Sequence, residues 1–171
     1  MMTSIHELLQ KEAQAVLNIP ITDAYEKAVE LIVEQIHRKK GKLVTTGMGK
    51  AGQIAMNIAT TFCSTGIPAV FLHPSEAQHG DLGILQENDL LLLISNSGKT
   101  REIVELTQLA HNLNPNLKYI VITGNVTDAG TEGSNYLSGA DRVVWSTEPL
   151  TEDKILAEEE HVAAVTEDGT F

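Results

Sequence analysis

The sequence predicts a three-layer α/β fold, with a mostly parallel sheet flanked by helices. Short apolar runs suited to strands alternate with longer segments of helical periodicity. One run, Leu90–Ile94, is apolar at every position, as a strand buried on both faces must be. The Gly/Ser-rich turns fall at the carboxyl ends of strands, where open parallel sheets bind ligands.

The elements follow in order. Ile5–Val16 and Ala24–His37 have helical spacing, and in the second Ala24, Ala28, Leu31, Ile32 and Ile36 share a face. Pro20 separates the two, Thr22 or Asp23 is placed to cap the second, and Gly41 ends it. Leu43–Thr46 is a short strand running into the turn Gly47–Gly52. Ala51–Ser64 is helical, Ala69–Leu72 is a strand, and Leu90–Ile94 is the buried strand. Thr100–Leu113 is an amphipathic helix, with Ile103, Leu106, Leu109 and Ala110 on one side. Tyr119–Thr123 is a further strand, ending at Gly124, and Arg142–Trp145 is a short last one. Parallel strands joined this way require right-handed crossovers.

The chain has 171 residues, which implies one domain. Residues 1–145 form that domain, with the N-terminal helices over 1–40 included, and residues 146–171 form an acidic tail. Glu148–Phe171 carries eight acidic residues and one lysine, a net of −7 out of −11 for the whole chain. That balance argues against a nucleic-acid backbone as partner, which calls for a basic patch. No apolar run is long enough to cross a bilayer. Met1–Lys11 lacks a basic-then-apolar leader pattern, and Cys63 stands alone, so no internal disulfide is expected. A cytoplasmic protein is the expectation. Cys63 reads as a core residue of its helix, not a nucleophile. Glu158, Glu159 and Glu160 read as a solvated face.

Ser95-Asn96-Ser97-Gly98-Lys99-Thr100 joins the buried strand to a helix. Amide groups at a helix start, together with the positive end of its dipole, favour an anion. Ser95, Ser97 and Thr100 add hydroxyl donors, and Gly98 lets the backbone come close. Capping explains one hydroxyl, not three plus a glycine. Ser95, Ser97 and Thr100 are thus the expected phosphate ligands, and the expected phosphate-binding set also takes in Asn96, Gly98 and, from the first turn, Gly49. Gly98-Lys99-Thr100 is not a nucleotide P-loop, because Leu93 stands where that motif needs its first glycine.

Gly47-Met48-Gly49-Lys50-Ala51-Gly52 matches the dinucleotide fingerprint. The next strand, however, ends Phe71-Leu72-His73-Pro74, with no carboxylate to hold a ribose until Glu76. Lys50 suits a sugar phosphate or an oxyanion; its bland alternative is a surface lysine on a tight turn. No nicotinamide cofactor is expected.

His73–Gly83 is dense in functional types, but its spacing matches no standard zinc pattern, so no metal is expected. His79 reads either as a proton carrier or hydroxyl ligand, or as part of a packed segment. Asp81 reads first as an acceptor for a backbone N–H. Glu102, in the first turn of the second loop's helix, is favoured there by the dipole alone and is also chemically suited to act as a base.

Four segments together resemble the sugar-isomerase (SIS) domain, and specifically the D-arabinose-5-phosphate isomerases of the KpsF/GutQ type. They are Thr46-Gly-Met-Gly-Lys-Ala-Gly52, Ser64-Thr-Gly-Ile-Pro68, His73-Pro-Ser-Glu-Ala-Gln-His-Gly-Asp-Leu-Gly83 and Ile94-Ser-Asn-Ser-Gly98. The resemblance covers roughly residues 5–125. It implies a flavodoxin-like fold, a homo-oligomer (tetramer or dimer) with sites at subunit boundaries, and a phosphorylated pentose as substrate. The implied reaction interconverts D-ribulose 5-phosphate and D-arabinose 5-phosphate through a cis-enediol, serving Kdo synthesis or capsule formation. Lys50, His79 and Glu102 would be the catalytic residues, with no metal or cofactor.

The chain departs from the family after about Asn125. The Glu-Ala-Cys-Pro-Leu-Gly and His-Pro-Gly-Gly segments are not found, and the tandem CBS domains are absent. A second reading therefore stands beside the isomerase: a sugar-phosphate-binding module without catalysis, acting as a sensor or a degenerate paralogue. Both readings predict that NAD, added at millimolar concentration, will leave the thermal melting midpoint unchanged.

Overall fold

The computed structural model describes residues 4–19, 21, 24–123 and 141–144. The expectations for Pro20, Thr22, Asp23, Gly124, Trp145 and the 146–171 tail lie outside them. Helix α1 spans Ile5–Leu17 and α2 spans Ala24–Ile32, the latter continuing into a π-helical turn over Val33–Arg38. Strand β1 (Leu43–Gly47), α3 (Lys50–Ser64) and β2 (Ala69–Phe71) follow. Next come a short α4 (Pro74–Ala77), a 3-10 turn (Asp81–Ile84) and β3 (Leu90–Ile94). Helix α5 (Arg101–Leu113), β4 (Lys118–Thr123) and β5 (Asp141–Val144) complete the described part.

The five strands form one sheet in the order β2-β1-β3-β4-β5, and every pairing is parallel. This is the flavodoxin-like order, and its direction of winding reverses between β1 and β3. The predicted elements are present with small shifts at their ends. The long second helix is two helical forms, because the chain over Val33–Arg38 widens to π geometry before Gly41.

Strand alternation divides the core into two layers. Leu91 and Leu93 face one cluster with Ile103, Leu106 and Ala110 of α5, together with Ala77 of α4. Leu90 and Leu92 face the other, with Ala28 and Ile36. All five residues of β3 are buried, as a central strand between two helical layers requires.

The floor of the sheet is held by one carboxylate. Asp89, 2% exposed, accepts from the backbone N–H of Lys42 at 2.9 Å and of Gln86 at 2.8 Å, and pairs with the Lys42 ammonium. Beside it the chain passes so close that a Cβ on Gly41 would lie 1.9 Å from the Asn88 carbonyl oxygen. Helix α1 is different in kind. It starts with a Ser4–Glu7 capping box but buries no residue, and Ile5, Leu9 and Leu17 are well exposed.

Asp89→Ala should lower unfolding stability by about 2–4 kcal/mol, because two amides and one ammonium lose their acceptor together. Urea denaturation should show the midpoint falling at constant m-value.

Candidate functional site

Two strand-to-helix turns meet at the winding reversal. Gly47, the last residue of β1, is the register partner of Ile94, the last residue of β3. The turns that follow therefore leave the sheet side by side.

In the first turn, helix and strand are separated only by the thinness of glycine. A Cβ on Gly52 would lie 2.6 Å from the Gly47 carbonyl oxygen, and one on Gly47 would lie 2.7 Å from the Ala51 carbonyl carbon. Gly49 takes φ +56°, where a side chain is strained. Helix α3 starts at Lys50, one residue earlier than periodicity predicts. Lys50 is thus the first helical residue. It is exposed, and among the described residues its ammonium makes no hydrogen bond or ion pair.

The second turn is tighter. Ser95 is 2% exposed, and its N–H continues the sheet pairing to the Ile122 carbonyl at 3.0 Å. Its Oγ lies 2.9 Å from Thr100 Oγ1. Thr100 occupies the N-cap position of α5, yet its side chain makes no capping bond. Ser97 Oγ accepts from the Lys99 N–H at 3.1 Å. Gly98 is buried at φ +65°, with its N–H on the Ser95 carbonyl at 3.1 Å. Asn96 and Ser97 are exposed at the rim. The first turn of each helix carries amides without intrahelical acceptors, so two positive helix ends open on the same crevice.

His79 stands in the turn between α4 and the 3-10 segment. Its N–H bonds the Glu76 carbonyl at 2.9 Å, and Gly80 follows at φ +125°. Its ring is exposed and makes no bond among the described residues. Glu102 is half-buried in the first turn of α5. Two expectations need correction. Asp81 accepts no backbone N–H among the described residues, because it stands inside the 3-10 turn and points outward, exposed. Cys63 is not core: it is exposed near the end of α3, with Sγ 3.0 Å from the Ala69 carbonyl oxygen.

Three residues near the site carried no signal in the sequence. Gln78 Nε2 donates to Glu105 Oε2 at 2.7 Å, and Arg101 Nε donates to Glu105 Oε1 at 2.6 Å. The hydrogen bond from Arg101 first, then that from Gln78, holds the Glu105 carboxyl below its usual range. Thr46 and His73 were legible only as letters of their segments. Thr46 Oγ1 and His73 Nδ1 are buried at the ends of neighbouring strands with no hydrogen-bond partner among the described residues. Polar groups so placed are uncommon, and a polar ligand or water at this rim would satisfy them.

A family model for the SIS domain matches residues 35–136, which include both turns, the His79 segment and α5. The chain belongs to the SIS-domain family. Among curated relatives, an arabinose 5-phosphate isomerase KdsD of Francisella tularensis is 42% identical over 127 residues, covering 74% of this chain and 38% of the relative. A KdsD of Pseudomonas aeruginosa is 44% identical over 117 residues, covering 68% of this chain and 34% of the relative. This SIS-domain chain thus spans well under half the length of either.

Among solved structures, a Bacteroides fragilis protein assigned as a phosphosugar isomerase involved in capsule formation is 73% identical with a TM-score of 0.74. The match covers 98% of this chain and 77% of that one. An Escherichia coli protein in complex with arabinose 5-phosphate is 28% identical, with a TM-score of 0.64 and coverage of 94% and 89%.

In this SIS domain the Gly52 contact is structural whatever the ligand. Gly52→Ala should cost about 1–3 kcal/mol through overpacking against β1. A thermal melt without ligand should show that loss.

Proposed function

We propose that the chain is an aldose–ketose isomerase acting on a five-carbon sugar phosphate, interconverting D-ribulose 5-phosphate and D-arabinose 5-phosphate. One observation carries the reading: two helix-starting turns, one with Lys50 and one with a Ser/Thr cradle, share the crevice where the winding reverses. The relatives' names and the Escherichia coli sugar-phosphate complex point to the same substrate.

Ser95, Asn96, Ser97, Gly98 and Thr100 receive the phosphate through hydroxyls and amides, and Gly49 leaves room on the facing turn. A preformed Ser95–Thr100 pair needs little reordering to accept an anion. With the phosphate anchored there, C1 and C2 of the sugar reach towards Lys50, His79 and Glu102. A base, Glu102 or His79, removes a proton from C1 of the ketose. The C–H electron pair becomes the C1–C2 double bond, and the C2 carbonyl oxygen takes the charge. The Lys50 ammonium stabilises that oxygen as the charge develops. Protonation at C2, with transfer of the O1 proton to O2, gives the aldose.

Residues 1–145 form the catalytic unit and 146–171 an acidic extension. Among the described residues no helix is long and apolar enough to cross a membrane, and a cytoplasmic enzyme of capsule or Kdo-type carbohydrate metabolism fits that. The exposed apolar residues of α1 favour a homo-oligomer, tetramer or dimer, in which a second copy covers them.

Incubation with D-ribulose 5-phosphate should produce D-arabinose 5-phosphate signals in proton NMR. Glu102→Gln should reduce turnover by at least about a hundredfold. Ser95→Ala should raise KM by about tenfold, the loss of one anion ligand. A thermal shift with sugar phosphate but no turnover would replace this reading with a binding module.

A further inference from the structure

The turn that bears His79 is weakly held by its own backbone. Helix α4 is a single turn, and the chain leaves it through a glycine at φ +125°. The bonds nearby are local: the Ala77 N–H to the His73 carbonyl, the His79 N–H to the Glu76 carbonyl, and the Gly83 N–H to the Gly80 carbonyl. Over residues 78–80, one side-chain bond among the described residues reaches another element, and it is Gln78 to Glu105.

Glu105 is itself oriented. Arg101 lies one turn earlier on α5 and fills its first oxygen, which turns the second towards Gln78. Arg101 stands between Thr100, bonded to the phosphate cradle at Ser95, and Glu102. Both oxygens of one carboxylate thus join the neighbour of His79 to the neighbour of Glu102.

We propose that Glu105 is a positioning residue that ties the His79 turn to the head of α5, fixing His79 relative to Glu102. The catalytic consequence rests on the isomerase reading above; the tie itself does not. The Glu105 carboxylate remains ionised at neutral pH because Arg101 and Gln78 both favour the charged form. Arg101 is largely exposed, so the pair adds little to global stability, and its effect is local order.

The test reads local order and turnover together. In Glu105→Ala, and equally in Gln78→Ala, amide exchange at His79 should speed about threefold to tenfold, the effect of losing one such bond. The double variant should add nothing to either single change, since both break the same link. Arg38→Ala removes a comparable surface pair at 3.0 Å on the far helix and should leave His79 exchange unaltered. With D-ribulose 5-phosphate, both tie variants should lose about tenfold in kcat while KM holds within about twofold, because the phosphate cradle is intact.

Unchanged exchange at His79, or an additive double variant, overturns the tie. Faster exchange with undiminished kcat overturns its positioning role. A wild-type protein without turnover defeats the isomerase reading instead, and the tie then stands or falls on exchange and additivity alone.

Discussion

The parallel pairing of β1 with β3 is the constraint on which the rest depends. Leu43 pairs with Leu90 and Gly47 with Ile94, so both strands end level. All ten positions of this pairing are buried, and a slip by one residue would turn Leu91 and Leu93 away from α5. Apolar patterning thus fixes where the two turns emerge, and the turns in turn fix what can bind between them. No side chain at the rim has to enforce that meeting. It is a by-product of burying leucines on both sides of a sheet.

Given that register, glycine does the remaining steric work. Gly47 and Gly52 allow the start of α3 to rest directly on the strand end, which brings Lys50 to the first helical position after β1. The two turns then divide the labour. One holds the buried Ser95 hydroxyl already bonded to that of the half-buried Thr100, an arrangement suited to a fixed anion. The other offers the exposed Lys50 ammonium, which in the proposed reaction would meet a charge that appears only as the reaction proceeds.

Much of this was legible in the sequence alone. The continuous leucines of β3 announced a central strand, and the Gly/Ser-rich turns announced the rim, because both signals are local in sequence. Thr100 reads equally well as a helix cap; the structure turns its hydroxyl to Ser95 instead. The Gln78–Glu105 link was invisible because it spans 27 residues and depends on how α4 packs on α5. Cys63 misled because it lies near the helix end over β2, the edge strand of the sheet, and helical periodicity alone does not say how fully such an edge is covered. The π-helical turn before Gly41 left no mark, since its residues are ordinary helix formers.

Asp89 sits at the opposite pole of the sheet from the two glycine-bearing turns, with its partners drawn from the floor loops at Lys42 and Gln86. Its contribution is to cohesion alone. The chain therefore separates its mechanical foundation from its chemistry along the strand axis. Substitutions among the rim residues can accumulate while the foundation absorbs the destabilisation they bring.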